Sequence, residues 1–107
     1  MGSKLTAEEV KARLSELESW TVEEGKWLVK KYRFPAFAGS IAFVNRIADI
    51  AEAMNHHPMI AIDYRMVTLR LTSWNAGGLT ELDFASVARY DEAYVGNADQ
   101  HMPQRLL

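Results

Sequence analysis

Val67, Leu69 and Leu71 alternate with Thr68, Arg70 and Thr72. Side chains of a strand point to opposite faces in turn, so this stretch belongs to a sheet with one dry face and one wet one. Such a strand needs neighbours, and its dry face needs cover. Both are legible nearby. Met59 to Asp63 and Met66 to Ser73 read as one hairpin. Trp20 and Val22 alternate with polar residues, Glu24-Gly25 supplies a turn, and Lys26 to Phe34 is rich in aromatic and β-branched residues, which predicts a second hairpin.

Three helical patterns supply the cover. Thr6-Ala7-Glu8-Glu9 is a capping box, flanked by Leu5 and Val10 at the positions of a hydrophobic staple. Val10, Leu14 and Leu17 then keep helical spacing to about Glu18. Pro35 suits the first turn of a second helix. Its two apolar rows are Phe37, Ile41, Val44, Ala48 and Phe43, Ile47, Ile50, Met54, with Ser40, Arg46 and Asp49 towards water and an end near Asn55. Gly77-Gly78 breaks the chain. Thr80 then caps a last helix with Asp83 at its third position, Leu79 and Phe84 as staple, and Val87, Ala88 and Tyr94 inward. The order α-β-β-α-β-β-α predicts an α+β fold, a four-stranded antiparallel sheet with helices packed on one face.

The chain of 107 residues is one domain with a modest core, about residues 5–95. The tail from about Gly96 to Leu107 and the start, Met1-Gly2-Ser3, read as loose ends. Twelve basic against fourteen acidic side chains give a net charge of −2, which argues against direct nucleic-acid binding. No cysteine means no disulfide, no thiolate nucleophile and no thiolate-held zinc. There is no apolar run of membrane-spanning length and no signal-peptide core at the N-terminus, so the expectation is a cytoplasmic protein that does not enter a membrane.

Chemistry concentrates in the run Glu52-Ala53-Met54-Asn55-His56-His57-Pro58. Adjacent histidines bring two groups able to hold or release a proton near neutral pH. Pro58 biases His57 to extended backbone, which places the pair where a helix hands over to a strand. Glu52 stands one helical turn before His56 and is a candidate to orient it or strengthen it as a base. A metal site is disfavoured: there is no HExxH, adjacent His56 and His57 do not easily face one ion, and His101 lies in the tail. Each residue also has a plainer reading. The histidines suit a helix C-terminus, Asn55 is a helix terminator, Asp83 a cap, and Tyr64 a packing residue at a turn.

The full pattern is Glu52, three residues, His56-His57-Pro58, five residues, Tyr64, nine residues, Trp74, eight residues, Asp83. It resembles the signature of the pterin-4a-carbinolamine dehydratases, and the resemblance runs from about Leu5 to about Tyr94, including WNAGGLTELD from Trp74. It implies dehydration of 4a-hydroxytetrahydropterin to quinonoid dihydropterin in tetrahydrobiopterin recycling, a hydro-lyase reaction needing no metal or redox cofactor. The implied catalytic residues are His56, His57, Asp83 and Glu52. The implied substrate-binding residues are Asn55, His56, His57, Thr72, Ser73, Trp74 and Asn75. Many relatives carry a third histidine where this chain has Trp74. An indole has no basic nitrogen and cannot take over a proton-transfer role, but it can stack on a flat heterocycle. The resemblance further implies a homodimer or homotetramer. Its alternative is a non-enzymatic role, as dimerisation partner in transcription or as assembly factor.

Overall fold

The computed structural model describes the backbone of residues 2–104 and the side chains of residues 2–95. Its elements are α1 (Ala7–Leu14), β1 (Thr21–Glu23), β2 (Trp27–Arg33), α2 (Phe37–Met54), β3 (Met59–Asp63), β4 (Met66–Leu71), a 3-10 turn (Trp74–Ala76) and α3 (Glu81–Gln104). The four strands form one antiparallel sheet in the order β1-β2-β4-β3. The expected element order and architecture are thus present. The backbone of α3 continues to Gln104. The side chains of the expected tail from Gly96, His101 among them, fall outside the described residues, as do Met1 and residues 105–107. No helix among the described residues is long and apolar enough to cross a membrane.

Register follows from alternation. Leu28 pairs with Leu71, Lys30 with Leu69 and Tyr32 with Val67, which puts all of them on the face the helices cover. There they meet Phe43 and Ile47 of α2 and Phe84, Val87 and Tyr90 of α3. Lys30 is accommodated on this face because Asp91 of α3 accepts from its ammonium at 2.9 Å, from the Tyr32 hydroxyl at 2.6 Å and from the Trp20 indole N–H at 3.1 Å. That carboxylate ties β2 to α3 far from the histidines. The opposite sheet face is open. On it Trp27 lies buried beneath the Arg70 guanidinium, 5.0 Å from the ring centre, and Arg70 also pairs with Glu23 at 3.0 Å.

Several local expectations shift. The Thr6–Glu9 capping box is present with both bonds formed, but α1 stops at Leu14 rather than near Glu18. The Ser15 hydroxyl bonds back to the Ala12 carbonyl, and the next turns tighten to i→i−3 bonds, a local competition with the helix ladder. Pro35 lies ahead of the N-cap Ala36 and is not in the first turn of α2. Ser40 faces the interior rather than water: its hydroxyl donates to the Tyr64 carbonyl at 3.0 Å, which makes its burial tolerable. Phe37 and Ala48 are exposed instead, because the buried stripe of α2 runs through Ser40, Phe43, Ile47 and Ala51. On α3, Ala88 is exposed and Tyr90 takes the inward position. Tyr64 does not pack into the core. It is 64% exposed at the β3–β4 turn in the left-handed region (φ 55°), with the Arg65 guanidinium over its ring.

Candidate active site

The site is built at the C-terminal end of α2. The helix closes in a Schellman arrangement: Asn55 adopts the left-handed conformation (φ 51°, ψ 44°) and its N–H bonds to the Glu52 carbonyl, while the His56 N–H reaches the Ala51 carbonyl at 3.1 Å. Asparagine is among the few residues that accept this conformation at little cost. The turn lifts His56 off the helix axis before Pro58 leads into β3. Asn55 is therefore the terminator expected of it, and the termination is what aims the histidines.

His56 Nε2 lies 2.6 Å from Asp83 Oδ1. Asp83 is fully buried at the start of α3. Its other oxygen, Oδ2, accepts from the Thr80 backbone N–H at 2.8 Å and from the Ser73 hydroxyl at 2.7 Å. One oxygen of Asp83 thus serves the start of the helix, and the other faces His56. A carboxylate only accepts hydrogen bonds, so the proton between the pair sits on His56 Nε2, and Nδ1 is the ring atom left for exchange. His57 Nε2 lies 2.6 Å from Glu52 Oε2 in a far more exposed pair. Glu52 thus backs His57 and not His56, contrary to the expectation from helical spacing. The i,i+4 relation fails because the helix has already ended at Met54.

A second segment faces the histidines. After β4, Ser73 holds a tight loop: its carbonyl accepts from the N–H groups of Ala76, Gly77 and Gly78, and its own N–H donates to the Gly78 carbonyl. Gly77 takes φ 77°, where a side chain is strained. This loop presents Trp74, 72% exposed, with its ring edge-on to Trp27 at 5.2 Å between centres.

Together the segments enclose a cleft of about 530 Å³ lined by Asn55, His56, His57, Thr72, Ser73, Trp74 and Asn75, with Gly2, Ala76, Thr80 and Leu82 completing it. All the substrate-binding candidates read from the sequence meet there. Gly2, read as a loose end, borders the same cleft. Asp83 and Glu52 stand behind the histidines and not on the wall. Thr72 is 5% exposed, and its hydroxyl has no hydrogen-bond partner among the described residues. Thr80 and Leu82 were missed: Thr80 carried a visible signal as a cap, Leu82 none. Burial first, and the nearby Asp83 charge second, push the Tyr90 hydroxyl up to about 12, so this phenol beneath the site stays protonated at neutral pH. Among the described residues no group of three or more His, Asp or Glu side chains is placed to hold a metal ion.

Residues 3–93 match the family model described as pterin 4 alpha carbinolamine dehydratase. A protein of Roseiflexus sp. (strain RS-1), provisionally named as a pterin-4-alpha-carbinolamine dehydratase, is 44% identical over 92 residues, covering 86% of this chain and 98% of its own. Among solved structures, a transcriptional coactivator/pterin dehydratase from Brucella melitensis superposes with a TM-score of 0.82 at 26% identity, over 86% of this chain and 99% of that one. A pterin dehydratase-like protein identified as a RuBisCO assembly factor in the alpha-carboxysome gives 0.62 at 26% identity, over 72% of this chain and 90% of that one.

Proposed function

The chain belongs to the pterin 4 alpha carbinolamine dehydratase family, and from that premise we propose that it dehydrates 4a-hydroxytetrahydropterin to quinonoid dihydropterin by histidine acid–base catalysis. The observation that carries this reading is His56 at the cleft wall with Asp83 behind it: a buried carboxylate fixes one ring nitrogen and leaves the other to move a proton. The reaction breaks the C4a–O bond. It needs a proton delivered to the departing hydroxyl and one removed from N5, as the C4a=N5 bond forms and water leaves. Nothing is oxidised, so proton transfer suffices. His56 is the principal acid/base, and His57, backed by Glu52, assists and binds. One imidazole enters protonated and the other neutral, and general acid–base help of this kind is worth ~10²–10⁴-fold.

Binding is divided between the remaining walls. The unpartnered Thr72 hydroxyl, with Asn55 and Asn75, suits the polar edge of a pterin, since buried hydroxyls are ordinarily hydrogen-bonded. Trp74 supplies a flat face for the ring. Trp74→Ala is therefore expected to weaken pterin binding by roughly 1–3 kcal/mol, by analogy with stacking of bases on aromatic side chains. Trp74→Phe should retain most of the affinity, and Trp74→His should add an ionisation to the pH–rate profile. Calorimetric titration with a stable reduced-pterin analogue and steady-state rates from about pH 5.5 to 9 check this. Unchanged binding in Trp74→Ala removes Trp74 from the site.

Assembly belongs to the same reading. Every residue of β3 is exposed, Met59, Ile60 and Ile62 prominently, and β3 is an edge strand. Such an edge, unless covered, is prone to pair with another chain. A homodimer or larger homo-oligomer is expected by light scattering at micromolar concentration, and Ile62→Lys should shift it towards monomer. A monomeric parent protein would contradict this. Cytoplasmic location is proposed on the same footing, from composition and the family's small-molecule chemistry.

A further inference from the structure

Ser73 faces the cleft, yet its polar groups are already committed. Its N–H donates to the Gly78 carbonyl, and its carbonyl accepts three loop N–H groups. Its hydroxyl carries a single proton, and that proton goes to Asp83 Oδ2 at 2.7 Å, because a carboxylate cannot donate in return. The contact between Ser73 Oγ and Thr80 Oγ1 at 2.9 Å must then run the other way, with Thr80 as donor. Thr80 Oγ1 in turn accepts from the Leu82 N–H at 3.2 Å. A one-directional chain results, from the Leu82 N–H through the Thr80 hydroxyl and the Ser73 hydroxyl to Asp83, whose far oxygen faces His56. Each link polarises the next, and its sense is fixed at both ends by groups that cannot reverse: a backbone donor and a carboxylate acceptor.

We propose that Ser73 is a positioning residue, not a substrate contact: with Thr80 behind it, its hydroxyl locks the Asp83 carboxylate so that His56 is held as the Nε2–H tautomer. This rests on the dehydratase reading for its kinetic consequence, though not for its structural one. Without the Ser73 donor, Oδ2 keeps only the Thr80 N–H, the carboxylate gains freedom to turn away, and the Oδ1 contact that dictates the His56 tautomer is no longer held in place.

Two measurements on the full-length protein test this. The ¹⁵N spectrum of the histidines, without substrate, should show His56 as the Nε2–H form in the parent and as a mixture in Ser73→Ala. In steady-state assays with 4a-hydroxytetrahydropterin, Ser73→Ala should lower kcat about tenfold, the scale of one lost hydrogen bond to a charged group, at unchanged KM. Ser73→Thr, which restores a hydroxyl, should recover both readouts. Should Ser73→Ala fail to fold, Ser73→Cys keeps the size with a weaker donor and should give the same changes in smaller degree. A raised KM at unchanged kcat would make Ser73 a substrate contact, and a His56 spectrum identical to the parent's would show that it positions nothing. Either overturns the proposal. An inactive parent protein with the expected spectra would sink the dehydratase reading alone and leave the role of Ser73 standing.

Discussion

His56→Ala is expected to reduce the rate of 4a-hydroxytetrahydropterin dehydration by at least ~10²-fold while leaving the circular dichroism spectrum unchanged. Of the two histidines, only His56 is held against a buried carboxylate; His57 and its partner Glu52 are both well exposed to solvent. The side chain lies at the cleft wall and makes no part of the main core, so its truncation removes chemistry rather than packing. His57→Ala should cost less, since an exposed hydrogen bond to Glu52 is a looser guide for a ring. A His56→Ala protein with more than half the parental rate and an intact fold rules out the assigned role.

Asp83→Asn is expected to be nearly as damaging, although it changes one atom. Oδ2 accepts two donors, the Thr80 N–H and the Ser73 hydroxyl, so the amide oxygen of an asparagine must take that place. Its NH₂ then faces His56 Nε2 and donates to it. The ring is forced into the opposite tautomer, with the proton on Nδ1 and no free base at the atom that served before. Equivalent reversal in serine proteases, where an aspartate behind a histidine is made asparagine, costs about 10⁴-fold; a loss on the order of 10²–10⁴-fold is expected here. Asp83→Ala should add instability, because it orphans the Thr80 N–H and the Ser73 hydroxyl, and loss of a helix cap alone costs about 0.5–2 kcal/mol. Comparison of the two variants by rate and by denaturant midpoint separates the effects: Asp83→Asn should be inactive and stable. An active Asp83→Asn would show that the tautomer of His56 does not matter.

Much of this arrangement was legible in the residues because it is local. The Thr6–Glu9 capping box, the Thr80 cap with Asp83 accepting from the Thr80 N–H, and the alternation of Val67, Leu69 and Leu71 are short-range patterns, and each folds as read. The wider family resemblance implied the cleft residues, and the structure brings Asn55, His56, His57, Thr72, Ser73, Trp74 and Asn75 to one cleft. What was not legible depends on partners distant in sequence. Ser40 looked like a surface residue because its acceptor, the Tyr64 carbonyl, lies 24 positions away. Asp83 reaches His56 across 27 positions, and no spacing rule connects them. Glu52 and His56 have the spacing of one helical turn, but the left-handed Asn55 redirects the chain just before His56, so Glu52 meets His57 instead, and only the backbone angle reveals it. Tyr64 was expected to pack, but the left-handed turn that joins β3 to β4 turns its ring outward.

The central claim, that this cleft removes water from a pterin carbinolamine, is tested most directly by stopped-flow absorbance of 4a-hydroxytetrahydropterin decay with and without the protein. Substoichiometric protein should accelerate the conversion to quinonoid dihydropterin, and the acceleration should vanish with His56→Ala. Decay at the uncatalysed rate, even with protein in excess over substrate, would contradict the account and favour a role as assembly or coactivator-like partner.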